Sequence, residues 1–299
     1  MTGQEVFVTH FCVTWIDLLG MRAALQGPHI MPKDGSGFRE HIDRSIGKIK
    51  RLHKDAEDFM DIFCDRVLET NAAKFVKDED KVEFIKKVKG LVKTQRWSDG
   101  MVHFSPLNQA GLYNCTIDLL SIFTQYIYAG FLCSYGLSKE QPIRGSIDIG
   151  WGVEMYPNEL YGRALASAYD LESKVADYPR IVIGDHLYKF LVASYNSLSR
   201  FQPSNSHDQY LKIIALHYAS RCLEFTGRDD SDTYFLHYLG DTFLHETYLS
   251  NEVSNKTFSS AYIYILSQIQ LHTANKDPKL LQRYQMLKLY FDNYPIRAF

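Results

Sequence analysis

Hydrophobic and polar positions along the first half of the chain recur with periods that predict regular elements. Val6 to Ile16 is rich in β-branched and aromatic residues and predicts a strand. Apolar residues at helical spacing predict a helix over Phe38 to Val67. Two strand-like runs within Val82 to Phe104 flank an Asp-Gly pair, a strong hairpin signal. Leu107 to Tyr135 is apolar nearly all round, as expected for a helix packed between other elements.

The next segments predict another strand pair, a helix and a closing strand. Ile143 to Ile149 alternates isoleucine with small or polar residues, and Val153 to Tyr156 resumes this pattern. The intervening Gly150-Trp151-Gly152 favours a hairpin turn rather than a phosphate-binding loop. A helix is predicted over Tyr161 to Ala176, and a short strand over Arg180 to Ile183.

The remaining pattern is weaker. It predicts a short helix at Asp185 to Leu191, a polar loop at Phe201 to Gln209 and an edge strand at Tyr234 to Leu239. Terminal helices across Phe258 to Phe291 should split near Asp277-Pro278. This order predicts an α+β fold with an antiparallel or mixed sheet covered by helices on one face. We expect residues 1–195 to form the core, and 196–299 a helical extension packed on it or in a dimer interface.

Composition narrows the class of protein. The 299 residues are 45% hydrophobic with a formal net charge of -2, which suits a globular protein and disfavours a basic nucleic-acid binder. The five cysteines are widely spaced without a CxxC pair, so reduced thiols are expected. The start of the chain does not resemble a signal peptide, and Asp118 and Gln125 interrupt the apolar run Ile117 to Gly136. We therefore expect a cytoplasmic protein without a nucleic-acid or membrane partner.

Two aspartates are the best candidates for metal ligands. Asp17 follows the first predicted strand and Asp99 stands in the hairpin turn, although each taken alone is an ordinary turn residue. In a βαββ arrangement the first strand lies beside the hairpin, so the two carboxylates can converge at one sheet edge. Such oxygen ligands suit Mg²⁺ or Mn²⁺. The Leu18 carbonyl would add a ligand, and the amides of Leu18, Leu19 and Gly20 could approach phosphates.

These segments, in this order, resemble class III nucleotide cyclases. Ile16 to Gly20 resembles the first metal motif of that family, and Trp97 to Gly100 the second metal position. Arg144 to Gly150 is similar to the glycine-flanked strand of these enzymes. Tyr161 to Ser173 and then Arg180 to Ile183 resemble the helix and closing strand that follow.

The resemblance, which runs from about residue 6 to residue 191, implies a ferredoxin-like βαββαβ core and an enzyme. Its two Mn²⁺ or Mg²⁺ ions would be held by Asp17, the Leu18 carbonyl and Asp99. Its substrate would be a nucleoside triphosphate, cyclised by attack of the ribose 3′-hydroxyl on the α-phosphate with release of pyrophosphate.

The chain departs from the purine cyclases at four positions. Ala166 and Asp170 replace the Asn and Arg that orient the ribose and stabilise the transition state. Gln95 stands at the purine-reading Lys, and Glu159 roughly at the purine-reading Asp. This pattern resembles the pyrimidine cyclases of bacterial Pycsar antiphage systems. That likeness implies a homodimer making cyclic UMP from UTP, or cyclic CMP from CTP, as a signal to a separate effector.

Supporting groups each have two interpretations. Arg163 or Lys174 replaces the missing Arg, or both belong to a salt-bridged surface stripe with Asp170. The Gln95 amide reads a pyrimidine edge, or it faces solvent. Trp97 stacks on a base, or it packs in the core. Further candidates for positive charge near the phosphates are Arg96 and Arg144.

Two alternatives to a pyrimidine cyclase remain open. One is an active purine cyclase with unusual supporting residues. The other is a catalytically silent module that binds a nucleotide or partner, which the altered Asn and Arg positions favour over the purine enzyme. Retention of both aspartates favours an active enzyme over a silent module, because a silent module has no chemical need for a metal pair.

Overall fold

A computed structural model of the chain describes residues 8–20, 35, 37–69, 86, 89–97, 100–108, 110–247 and 250–294. Its strands are β1 (Val8–Leu18), β2 (Lys93–Trp97), β3 (Gly100–Leu107), β4 (Ile143–Tyr156), β5 (Glu159–Tyr161), β6 (Ile181–Ile183), β7 (Thr226–Arg228) and β8 (Tyr234–Leu236). Its helices are α1 (Phe38–Arg44), α2 (Ile46–Glu69), α3 (Gly111–Ser138), α4 (Arg163–Lys174), α5 (Asp185–Arg200), α6 (Ser206–Glu224), α7 (Asp241–Glu246), α8 (Asn251–Ala274) and α9 (Pro278–Asn293).

The strands form one mixed sheet. Their order is β2-β3-β1-β4-β6-β8-β7, with β5 paired to β4. The pairs β2–β3, β3–β1 and β1–β4 are antiparallel, whereas β4 and β6 are parallel. The first four strands therefore have the ferredoxin-like arrangement, in which each crossover skips one strand. The predicted α+β fold with a mixed sheet covered by helices is confirmed.

Helices cover both faces of this sheet, so the expectation of one covered face is wrong. Side chains alternate along β1, as in any strand. Cys12 and Ile16 belong to the large core cluster with α2 and α3. Phe11 and Val13 instead pack with Ala164 of α4 and its neighbours on the opposite face. The small side chains on α4 let the helix lie close to the strands.

β4 is a single strand of 14 residues, so the predicted turn at Gly150-Trp151-Gly152 is wrong. β4 pairs with β1 from Ile143 to Val153, and Gly150 and Gly152 both take part in this pairing. A Cβ atom at Gly150 would lie 3.0 Å from the Ala164 backbone, so glycine permits close packing of α4 on the strand here. The chain turns beyond Tyr156, where Asn158 has φ 63°.

Several predicted helices have different bounds. The long predicted first helix is two helices that meet at Ser45. α5 continues to Arg200, well past the predicted end, and α6 occupies part of the predicted polar loop. The split before Pro278 is confirmed, because Asp277 caps α9 by accepting a hydrogen bond from the Leu280 amide.

The segment after residue 195 joins the same sheet. β8 pairs with β6 on one side and β7 on the other, so the prediction of an edge strand is wrong. Arg180, just before β6, donates a 2.6 Å hydrogen bond to Asp229 in the β7–β8 connection. Helices α6 and α8 both pack against α3.

Among the described residues, α3 is a helix long and apolar enough to cross a membrane. Within its most apolar window, however, 89% of the residues are buried inside the fold, which confirms the predicted buried helix. The five cysteines are free thiols, and all except the half-buried Cys115 are buried. Burial raises the pKa of Cys12 and of Cys133.

Candidate functional site

Asp17 lies near the end of β1, inside the strand rather than after it. Its pairing partners are Gly100 on β3 and Arg144 on β4. Gly100 also pairs with Trp97, where β2 ends. The end of β1 and the β2–β3 hairpin therefore meet at one edge of the sheet, as the sequence predicted. Ser98 and Asp99 lie outside the described residues, so the convergence of two carboxylates stays a prediction.

Arg144 links Asp17 to a buried acid on α4. Its guanidinium contacts the Glu172 Oε1 atom at 2.5 Å, and its Nη2 lies 3.9 Å from the Asp17 Oδ2 atom. Burial raises the pKa of Glu172, although the neighbouring guanidinium opposes this. Because Glu172 lies on α4, these contacts put the side chains of Asp17 and Arg144 on the face of the sheet that α4 covers.

Sequence reasoning missed Glu172, although a signal was present. Glu172 follows Ala164 and Ala168 at intervals of four residues, and all three are buried on α4. An acid in register with the small residues of a helix is expected to face the sheet and to need a cation there.

The described residues fit one part of the implied metal site. The Asp17 side chain is 31% exposed, and the Arg144 guanidinium lies closer to Glu172 than to Asp17. The cluster brings two carboxylates beside one guanidinium. Leu18 has a buried side chain and lies in strand register with Ile143. Within the described ranges no cluster of three or more His, Cys, Asp or Glu side chains could hold a metal ion.

The predicted phosphate-binding amides are only partly available. The Leu19 amide donates a 2.9 Å hydrogen bond to the Pro142 carbonyl, so this amide is used inside the protein. Gly20 has φ +82°, a left-handed conformation that glycine adopts without strain. Among the described residues, no heavy atom lies within 4 Å of a Cβ built at Gly20.

The predicted base-reading residues have contacts within the chain. The Gln95 Oε1 atom accepts a 3.1 Å hydrogen bond from the Leu160 amide on β5. Glu159 accepts a 3.2 Å hydrogen bond from the Tyr161 hydroxyl. The Gln95 bond connects β2 to β5, so Gln95 is not simply solvent-facing, whereas the Glu159 bond lies within β5.

Trp97 is 43% exposed, so it lies at the surface rather than in the core. Its ring meets Trp15 edge to face at 5.2 Å, and Trp15 meets Tyr169 of α4 at the same distance. Trp15 precedes Asp17 by two residues on β1 and so shares its face. This aromatic trio of Trp15, Trp97 and Tyr169 lies next to the Asp17 edge.

The candidate cations are dispersed. Arg163 is exposed at the first residue of α4, whereas Lys174 forms an exposed 2.9 Å ion pair with Asp170 in its last turn. Arg96 pairs with Glu57 of α2, on the face opposite Asp17. Arg144 is thus the candidate cation that the described structure places beside Asp17.

Comparison with known proteins does not assign a function to the chain. No family model matches the chain, and no curated protein matches it. A solved structure to which it is similar is the monomeric guanylyl cyclase domain of the RhoGC fusion protein from the aquatic fungus Blastocladiella emersonii. The alignment covers 78% of this chain and 98% of that domain, with 11% identity and a TM-score of 0.39. A likeness at this level carries no functional argument, and the fold assignment rests on the sheet order.

Proposed function

We propose that this chain is a metal-dependent nucleotide cyclase, and more narrowly a pyrimidine cyclase that converts UTP to 3′,5′-cyclic UMP and pyrophosphate. The observation that carries the proposal is the register of Asp17 with Gly100, the residue that follows Asp99 in the chain. This register supports a carboxylate pair at one sheet edge. Both segments resemble cyclase metal motifs, which supports metal binding by these two carboxylates.

Asp17, Asp99 and the Leu18 carbonyl would hold two divalent cations. Bound there, Mn²⁺ or Mg²⁺ would lower the pKa of the attacking hydroxyl and neutralise charge on the triphosphate. In the reaction the ribose 3′-oxygen would bond to the α-phosphorus while its proton passes to solvent water, and the bond from that phosphorus to the bridging oxygen would break to release pyrophosphate. The role of Glu172 is to hold the Arg144 guanidinium beside Asp17, where it offsets phosphate charge.

Exposed aromatic side chains on the α4 face of the sheet could contact the base of the substrate or a second subunit. The aromatic trio offers a ring surface beside Asp17, with Trp97 43% and Tyr169 50% exposed. We propose that this surface stacks on the pyrimidine or on the partner subunit of a homodimer. The proposed enzyme would act in the cytoplasm, in antiphage signalling to a separate effector that binds the cyclic nucleotide.

The decisive experiment is mass spectrometry of products after incubation of the purified chain with Mn²⁺ and each of ATP, GTP, CTP and UTP. Cyclic UMP from UTP is the expected result. Cyclic CMP would retain the pyrimidine cyclase and change the base, whereas a cyclic purine nucleotide would establish the purine alternative.

Asp17→Asn should reduce turnover by at least about a hundredfold, because a metal-ligand carboxylate is lost while the shape is kept. Asp58→Asn is the matched control, since Asp58 lies in an exposed ion pair with Lys54 on α2. Thermal unfolding of both variants should match that of the parent. Near-normal turnover by Asp17→Asn would refute the metal-site proposal.

A silent nucleotide-binding module is the second candidate. It is favoured by the contacts that already engage Gln95, Lys174 and the Leu19 amide within the chain. Equilibrium binding of UTP without any cyclic product, in the presence of Mn²⁺, would establish this candidate in place of the enzyme.

A further inference from the structure

The short strand β5 lies over the face of the sheet that α4 covers. Its central residue, Leu160, is fully buried in the small cluster that also contains Phe11 and Ala164. A Cβ atom built at Gly152 would lie 2.9 Å from Leu160 Cδ1 and 3.0 Å from Phe11 Cδ2, so the leucine lies close to both β4 and β1. Residues 153–161, the end of β4 together with β5, therefore form an arm that is folded over this face.

The outer edge of β5 is met by a side chain instead of a strand. Within the described sheet β5 pairs with β4 alone, so no strand pairs with its other edge. The Leu160 amide donates a 3.1 Å hydrogen bond to the Gln95 Oε1 atom of β2. A buried amide without an acceptor destabilises a fold, so this side-chain oxygen supplies the acceptor that a neighbouring strand would otherwise provide.

A second contact fastens the arm to β2 at the same place. Lys93 forms an ion pair with Glu154, and their side chains are 35% and 23% exposed, so the pair is partly shielded from water. Glu154 is the register partner of Leu160 within the arm, and its Oε1 atom accepts a 2.8 Å hydrogen bond from the Asn158 amide. Lys93 and Gln95 are two residues apart on β2 and share a face, so both side chains reach the arm from one strand.

The position of β2 depends on this attachment. β2 is an edge strand of the described sheet and pairs there with β3 alone. It ends at Trp97, which contacts the Trp15 ring edge to face at 5.2 Å and precedes Asp99 by two residues in the chain. Segments with few partners open locally at low cost, so contacts from the arm should restrain this end of β2.

We propose that Lys93 and Gln95 form a clasp that holds the arm on β2, and that Gln95 is a positioning residue that acts through its oxygen. The clasp does not require the proposed cyclase function. Its effect on turnover does rest on that function, because β2 leads to Asp99. In this assignment Gln95 positions β2 and β5 and does not read the pyrimidine edge.

The two roles of Gln95 use opposite ends of its amide. Because Leu160 engages the Oε1 atom, a base would be read through the Nε2 donors. Gln95→Glu keeps an oxygen at this position and lacks both N–H groups, whereas Gln95→Met keeps the chain length and lacks the oxygen. The clasp therefore predicts that Gln95→Glu behaves like the parent and that Gln95→Met does not.

The test is hydrogen exchange of the Leu160 amide, followed by NMR of the full ¹⁵N-labelled chain. In the parent this amide should be protected, although it lies at the edge of a strand. Gln95→Met should lower its protection by about tenfold or more, since the hydrogen bond to a buried amide is lost. Gln95→Glu should keep the protection, and Lys93→Met should lower it. Arg96→Gln is the matched control and should leave it unchanged, because Arg96 adjoins Gln95 but pairs with Glu57 on the opposite face.

The same variants are assayed with Mn²⁺ and either UTP or CTP. Gln95→Met should lower turnover without changing the preference between the two nucleotides, and Gln95→Glu should retain both turnover and preference. A changed preference in Gln95→Glu would assign Gln95 to reading of the base and overturn the positioning role. An unprotected Leu160 amide in the parent, or parental protection in Gln95→Met or Lys93→Met, would overturn the clasp. Absence of any cyclic product would overturn the proposed function and with it the effect on turnover, whereas the exchange result would still decide the clasp.

Discussion

The ion pair between Arg180 and Asp229 should be the strongest polar link between the core strands and the β7–β8 hairpin. The guanidinium is buried, lies 2.6 Å from the Asp229 carboxylate and donates a 3.1 Å bond to the Val175 carbonyl. It also covers the Tyr178 ring at 4.6 Å. Arg180→Met keeps much of the packing volume but leaves Asp229 without its cation.

The expected cost follows from the burial of each partner. Removing one partner of a buried ion pair costs about 3–5 kcal/mol. Asp229 is 23% exposed and keeps hydrogen bonds from Ser231 and Thr233, which favours the lower end of that range. We expect a loss of about 3 kcal/mol for Arg180→Met, or a fall in Tm of about 6 °C at roughly 2 °C per kcal/mol for a chain of this size.

Urea unfolding followed by tryptophan fluorescence measures this loss, and Asp229→Asn completes a double-mutant cycle. The two substitutions should be strongly non-additive, because they remove the same contact. Lys189→Met is the control, since its 3.9 Å pair with Asp185 is exposed and should not affect stability measurably. A loss below about 1 kcal/mol for Arg180→Met would refute the assignment of a buried, tightly coupled pair.

Two further predictions follow from packing and charge. Gly145→Ala should prevent accumulation of folded protein, because its Cβ would lie 2.3 Å from the Trp15 carbonyl oxygen. Circular dichroism and gel filtration measure this loss. A variant that folds and unfolds like the parent would contradict the close approach of β1 and β4 at this position. Although burial opposes it, hydrogen bonds from Ser231 and Arg180 lower the pKa of Asp229. The unfolded chain therefore binds this proton more readily, so stability present above about pH 4 should be lost as the pH falls through the lowered pKa. Tm measured between pH 6 and pH 3 should fall less in Asp229→Asn than in the parent, and equal falls would contradict the assignment.

The sequence predicted best those features that depend on local periodicity. The alternation in β1 and the apolar run of α3 were confirmed with small shifts in their bounds. The β2–β3 hairpin was predicted from its Asp-Gly signal, and its position beside Asp17 followed from the order of elements. Local signals sufficed here because each agreed with the global arrangement.

The sequence-based predictions were wrong or incomplete where the role of a residue depends on a contact with another element of the fold. Gly150 was interpreted as a turn former, but it lies in a continuous strand and makes room for α4. The buried Glu172 and His103 depend on partners from other elements, namely Arg144 and Thr94. Sequence spacing alone does not reveal such pairs, because the two partners are many residues apart.

The continuity of the sheet through β6, β8 and β7 has a consequence for how the protein loses its structure. β6 is a three-residue strand flanked by β4 and β8, so its hydrogen bonds depend on segments from both halves of the chain. Fluctuations that detach the C-terminal hairpin would expose β6 and, through it, the parallel edge of β4 that also carries Arg144. Local opening in the C-terminal half is thereby coupled to the strand beside Asp17, and the two halves should gain and lose amide protection together.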